Sequence, residues 1–377
     1  MPITYDNLRN IKRDLNDTLH TVQRASPSFI SLFVPGDKAL AAKHEWNEDA
    51  IRPRGIVAKS AASGVLTLND GETGKIKIGT LLSPKNDVAL LRVVSISGDA
   101  VTVELVASNG SDITAATLTA GEYEINGKPN KMGSYNEDGE EDLRLNSTNW
   151  NATQIFRKNI KIPRTWAQSG MHGNLENNLE RQEAFQLMRI TEDMNRLAFR
   201  GVRVLGNENT PGTFGGIYQF AEGGTVIDGL AKPFSQIIVN DAVAEGRSNG
   251  ANMTTVICHP NQARVLSQLN ESKVTIVRGD EKSGSYVGQI VNDITGTILN
   301  VIADYDMIEK HAWVVDPECF ATSIMQDFDE VDATPNGYDG QLRRILGELT
   351  LEFRNAKDRC VLIKNLKDPA EILASLR

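Results

Sequence analysis

The sequence predicts an α+β fold in which β-rich and mixed segments stay apart along the chain, with a small all-β module near the N-terminal side. Three observations carry this. Residues 55–127 hold short β-branched runs broken at short intervals by Gly, Asn, Asp and Ser. A long stretch from Asn174 to Gly201 has its apolar residues at helical spacing. From Gly201 onward helix-like and strand-like segments alternate, and β texture returns in "RRILGELTLEFRN" and "RCVLIKNL".

The chain opens with an arm to about Gly36, where Ile3, Leu8, Ile11, Leu15, Leu19 and Val22 share one helical stripe. This segment has no apolar h-region and does not read as a secretory signal. In the β module, "VVSISGDAVTVELV" is the clearest hairpin, with Gly98-Asp99 as a two-residue turn that needs φ > 0. Period two puts Val94 and Ile96 on one side of the first strand, and Val101, Val103 and Leu105 on one side of the second. Next, Glu137, Asp138, Glu140, Glu141 and Asp142 crowd into an acidic run that reads as a solvated loop.

"NWNATQIFRKNIKIPRTWAQSG" follows as an amphipathic strand, with Arg157, Lys158, Lys161 and Arg164 set between Ile155, Phe156, Ile160 and Ile162. Its cations suit either phosphates or acidic loops of a neighbouring copy, such as 137–142, and the crowding of opposite charges favours the second. Then comes the strongest helix, capped by Asn174, with Glu176 and Glu180 near the positive end of its dipole. Leu175, Leu179, Phe185, Met188, Met194, Leu197 and Ala198 mark its apolar face, and Gly201 ends it. Its length suits a spine across a domain. The Gly-rich loops 206–216 and 279–288 read as places where the chain flexes.

The chain has 377 residues, enough for two or three cores at roughly 100–200 residues each. A hydrophobic share of 40% and a charged share of 24% are those of a soluble globular protein. No apolar run reaches the roughly 18–20 residues of a membrane span, so no membrane partner is expected. A net charge of −9 argues against a reader of nucleic-acid sequence but suits a protein lying near nucleic acid without adhering to it. Cys258, Cys319 and Cys360 are odd in number and far apart, which argues against a disulfide framework and against zinc. They read as small buried hydrophobes in a reducing compartment.

No catalytic constellation emerges. "GTFGG" and "GDEKSGS" lack the spacing and context of phosphate loops. The five histidines are scattered singly, and His259, placed at a strand end before Pro260, reads as a polar turn residue more readily than as a base. Asp327, Asp329, Glu330 and Asp332 lack the register of a calcium loop. Neither a metal nor a cofactor is implied.

The order of segments, with "NWNATQIFRKNIKIPRTWAQSG", "ERQEAFQLMRITEDMNRLAFRG", "TTVICHPNQARVLSQL" and "GELTLEFRNAKDRCVLIKNL", resembles the major capsid proteins of tailed bacteriophages, of the Hong Kong-97 phage fold type. The nearer likeness is to the branch that carries a β module in its extended loop. The resemblance implies an N-terminal arm at 1–36 and an extended loop at 37–145 that holds the β insertion at about 55–127. It implies a peripheral domain with the spine helix at 146–200 and 341–377, and an axial domain at 201–340. It further implies a non-enzymatic protein of the virion, assembled in the cytoplasm of a bacterial host. Hexamers and pentamers of such a chain enclose double-stranded DNA, which they contact without sequence preference. Portal, scaffolding and decoration proteins are the other partners implied, and non-covalent assembly is expected. The alternatives are an encapsulin-type compartment of the same fold, a metal-dependent hydrolase using the acids near Asp327–Asp332, and a carbohydrate-binding virion component.

Overall fold

A computed structural model describes residues 28–49, 54–108, 118–129, 146–165, 178–269, 288–293 and 296–375. The chain forms two compact units: residues 49–146, and residues 1–48 with 147–377.

In chain order the larger unit begins with β1 (Val34–Pro35) and β2 (Lys43–Glu48). The inserted unit holds β3 (Gly55–Ala62), β4 (Val65–Leu68), β5 (Leu81–Pro84), β6 (Ala89–Ser97), β7 (Ala100–Ser108) and β8 (Gly121–Ile125). The larger unit resumes with β9 (Ser147–Ala152), β10 (Gln154–Pro163), α1 (Asn178–Arg200), α2 (Ile217–Phe220), β11 (Val226–Asp228) and α3 (Gln236–Ser248). It continues through β12 (Thr255–Cys258), α4 (Pro260–Leu269), β13 (Gln289–Val291), β14 (Ile298–Ala303) and β15 (Ala312–Val315). It ends with β16 (Phe320–Asp332), β17 (Gly340–Phe353), α5 (Ala356–Arg359), β18 (Cys360–Lys364) and α6 (Pro369–Ser375).

The inserted unit is a closed barrel in the order β3-β4-β7-β6-β5-β8. Alternate residues fill it, among them Ile56, Leu66, Leu82, Leu91, Val101 and Tyr123. The β6–β7 turn is Gly98-Asp99, with Gly98 at φ 57°. One side-chain assignment differs from the simple alternation. The register shifts between Val93 and Ser95, so Val93 is buried and Val94 is 44% exposed. A bulge adds one residue and reverses the faces beyond it.

In the larger unit β2 and β9 form an antiparallel two-stranded ribbon, and the barrel is inserted in sequence between them. A four-stranded sheet runs β1-β16-β17-β10, and a six-stranded sheet runs β11-β18-β15-β12-β14-β13. The expected division into 201–340 against 146–200 with 341–377 cuts across both sheets. Strand β16 pairs with β17 over nearly its whole length, whereas β18 lies between β11 and β15 in the other sheet. Local texture does not report this exchange, because pairing partners are set by non-local packing.

Every residue of β12 and β15, and Cys360 to Ile363 of β18, is buried, as for central strands covered on both faces. Helix α1 packs Ile190, Met194, Ala198 and Phe199 into a core shared with Phe156, Ile160, Ile345 and Leu349 of the four-stranded sheet. Its 23 described residues span about 34 Å at a 1.5 Å rise. Its expected cap, Asn174, lies outside the described residues. Met188, expected on the buried face, is 37% exposed.

The loop 206–216 is exposed from Gly206 to Pro211 and becomes buried from Phe214 to Gly216. A Cβ on Gly216 would come within 2.5–2.6 Å of the carbonyl oxygens of Leu197, Ala198 and Phe199, so this residue closes on the end of α1. A Cβ on Gly212 would meet the Thr153 carbonyl oxygen at 2.9 Å, and Val204 and Thr213 form an antiparallel bridge. These glycines serve close approach. The second loop expected to flex, 279–288, lies almost wholly outside the described residues.

Candidate assembly interface

The basic strand β10 has two chemically different faces. Phe156, Ile160 and Ile162 are buried, while Ile155, Arg157, Asn159 and Lys161 are exposed. Lys158 belongs to the face towards α1, and its Nζ donates to Asp193 Oδ2 at 2.9 Å. Arg164 Nε donates to Asp339 Oδ1 at 2.9 Å. Two of the four expected contact cations are therefore engaged within the chain. Arg157 and Lys161 make no ion pair among the described residues. The acidic group Glu137, Asp138, Glu140, Glu141 and Asp142 lies outside the described residues.

Asp327, Asp329, Glu330 and Asp332 are strung along β16, where a strand sends neighbours to opposite faces. Glu330 Oε1 accepts from Arg343 at 3.2 Å. Asp332 accepts from the Thr334 hydroxyl at 2.6 Å and from its backbone N–H at 3.0 Å, which holds its carboxyl below the usual range. Among the described residues no three metal-binding side chains converge here or elsewhere.

A dense set of polar contacts lies where the β2–β9 ribbon meets the four-stranded sheet, and sequence reasoning did not single it out. Glu352 is 2% exposed and accepts from His44 Nε2 at 2.8 Å, from the Ser323 hydroxyl, and from Arg354 Nε at 2.7 Å. Burial pushes its carboxyl up, but the hydrogen bonds from Ser323, His44 and Arg354 outweigh this and hold it below the ordinary value. Ser323 and His44 each bind the carboxylate rather than one another. Asn151 is fully buried, donating to the Leu351 carbonyl at 2.7 Å and accepting from Gly215 N–H at 2.8 Å. Arg203 lies over the Trp150 ring at 4.5 Å and donates to the Trp150 carbonyl at 2.8 Å. Beside it, Asn149, Arg203, Gln219, Phe220, Glu222 and Lys357 line an open cleft of about 380 Å³. The signal for Glu352 was an acid inside the apolar run "LTLEF", but no spacing rule identifies its partners.

His259 accepts from Asn261 N–H at 3.3 Å through Nδ1 at the start of α4, and burial lowers its pKa. It stands between β12 and α4, where its carbonyl accepts the N–H groups of Gln262 at 2.9 Å and Ala263 at 3.1 Å. Cys319 and Cys360 stand 3.6 Å apart at sulfur, fully buried, and burial raises the Cys319 thiol well above its ordinary value. Among the described residues, no helix is long and apolar enough to cross a membrane.

The sequence model of the family described as SU10 major capsid protein matches residues 2–367. No curated protein matches the chain. Among solved structures, the capsid of the native GTA particle superposes with TM-score 0.53 at 10% identity, covering 96% of this chain and 97% of that one. The capsid of Myoviridae phage XM1 gives 0.51 at 8% identity, covering 94% and 97%. The capsid of cyanophage P-SCSP1u gives 0.51 at 9% identity, covering 95% and 93%. At such identities these likenesses establish the fold.

Proposed function

The chain belongs to the SU10 major capsid protein family; it is a head-shell protein of a tailed phage, located in the virion, and we propose that it tiles a closed icosahedral shell as hexamers and pentamers around double-stranded DNA. The observation that carries this is the family match over nearly the whole chain. A shell subunit acts through repeated contacts with copies of itself, and a standard contact buries roughly 1,600 Å². The encapsulin-type alternative shares the fold, and the family match favours the phage head.

In this reading the four-stranded sheet with α1 is the peripheral domain, and the six-stranded sheet with α3, α4 and α6 is the axial domain. Residues 1–36 form the arm. The β2–β9 ribbon is the base of the extended loop, and the barrel is its insertion. Clamping by Glu352 and Asn151 at that base supports a loop rigid enough to bear on a neighbour. Arg157 and Lys161 are the contact cations, because their charges remain uncompensated among the described residues. DNA is held without sequence readout, as the net charge of −9 suits. Portal, scaffolding and decoration proteins are further partners, and assembly takes place in the host cytoplasm.

Expression of the chain with its phage's scaffolding and portal proteins, followed by negative-stain microscopy and nuclease treatment, tests this reading. The expected result is closed particles with nuclease-resistant double-stranded DNA after packaging. Particles filled with an enzyme cargo and free of DNA would favour the encapsulin alternative.

A further inference from the structure

We propose that the four-stranded sheet continues from one copy of the chain to the next, the basic outer edge of β10 docking against the acidic outer edge of β16 in a second copy. This rests on the shell reading above and specifies one contact within it.

Both edges are open among the described residues. Strand β10 is the end strand of its sheet and pairs only with β17. On the other side, β1 covers β16 at Ala321 and Thr322, and a last backbone bond runs from Ala39 N–H to Ile324 O. From Gln326 to Asp332 the outer side of β16 has no described neighbour. An open strand edge presents unpaired N–H and C=O groups and so offers a template for another chain.

The two edges are opposite in charge. Strand β10 carries Arg157, Lys158 and Lys161 and no acid, while β16 carries Asp327, Asp329, Glu330 and Asp332 and no cation. On the helix side Lys158 is neutralised by Asp193 and Glu330 by Arg343. What remains without an ion pair among the described residues is Arg157 and Lys161 at one edge and Asp327, Asp329 and Asp332 at the other, Asp332 being hydrogen-bonded to Thr334. Asp329 and Arg157 stand on one row of the sheet, both registered to Leu346 of β17. A neighbour added in the same sense places its own Asp329 edge against this Arg157 edge.

Charge then decides the geometry. Pairing two β10 edges, or two β16 edges, sets like charges side by side, which repel. Single-sign edges refuse their own kind and accept the opposite. The contact is therefore head-to-tail, and repetition closes a ring when the rotation permits. Because β10 and β16 both run antiparallel to β17, the new junction is a parallel pair.

The test is a charge swap in the full chain. Arg157→Glu with Lys161→Glu should lower particle yield about tenfold or more, and so should Asp327→Lys with Asp329→Lys. The four changes together should restore particles. Melting of unassembled subunits separates a docking defect from misfolding. In wild-type particles, hydrogen exchange at residues 154–163 and 326–332 should slow relative to free subunits. Normal assembly of either double variant, or a folded quadruple variant that stays dispersed, overturns the proposal. So does unchanged exchange at those strands, or rescue of the basic-edge variant by reversing the acids at 137–142. Failure of wild-type chains to form particles at all overturns the shell reading itself.

Discussion

Asn195 Nδ2 donates to Asp304 Oδ2 at 3.0 Å, joining the C-terminal part of α1 to the residue that follows β14 across 109 residues of sequence. The same carboxylate oxygen accepts the backbone N–H groups of Ser28 and Phe29, each at 3.1 Å, and Asn195 Oδ1 accepts that of Ile30 at 3.1 Å. Phe29 then stacks on Phe199 with ring centroids 4.4 Å apart. One buried node therefore anchors residues 28–30 to α1 and to the residue that follows β14.

Asn195→Ala leaves a buried carboxylate oxygen and a backbone N–H short of a partner. The expected cost is about 2–3 kcal/mol in chemical denaturation of the unassembled subunit, with faster amide exchange at 28–30. Asn195→Asp should be worse, because Asp304 and Asp306 both face that side chain.

Glu352 makes stability depend on acid. Its folded pKa lies below its unfolded one, so its contribution is present above about pH 4.3 and is lost as pH falls through the folded value. Glu352→Gln should cost about 2–3 kcal/mol near neutrality, from lost charge-assisted hydrogen bonds. The gap between variant and wild type should narrow steadily as pH falls below about 4.3 and through the lowered folded value, read as melting temperature against pH.

Gly216→Ala forces a methyl group into three backbone carbonyl oxygens that cannot rotate away. A loss of about 1–3 kcal/mol is expected, with lower soluble yield. Gly74→Ala is the matched control, since nothing lies within 4 Å of its added methyl, and its stability should stay within about 0.5 kcal/mol of wild type.

Lys158→Met should leave particle yield unchanged and cost at most about 1 kcal/mol, because its partner is Asp193 of the same chain and both groups are partly exposed. Sedimentation of particles and thermal melting of subunits measure the two effects separately.

The elements most legible in the sequence were those with local period. Helix α1 announced itself through spacing, β10 through cations set between apolar residues, and the barrel strands through β-branched runs between turn residues. The Val93–Val94 reversal was hidden because a bulge breaks alternation without changing composition. The sheet assignments of β16 and β18 were hidden because each pairs with a strand that texture alone does not select. In the candidate interface the cations were visible, but not that Lys158 and Arg164 are matched within the chain. Asn195, Glu352 and Asn151 were invisible for the same reason: a lone polar residue gains its role from groups folded to it from far along the chain.

Electron cryomicroscopy of particles formed by the purified chain tests the central claim most directly. The account predicts a closed shell with five- and six-fold rings of this subunit, in which one copy's 154–163 strand lies beside the next copy's 326–332 strand. A chain that stays monomeric at every concentration and buffer, with its phage's assembly partners supplied, would contradict it.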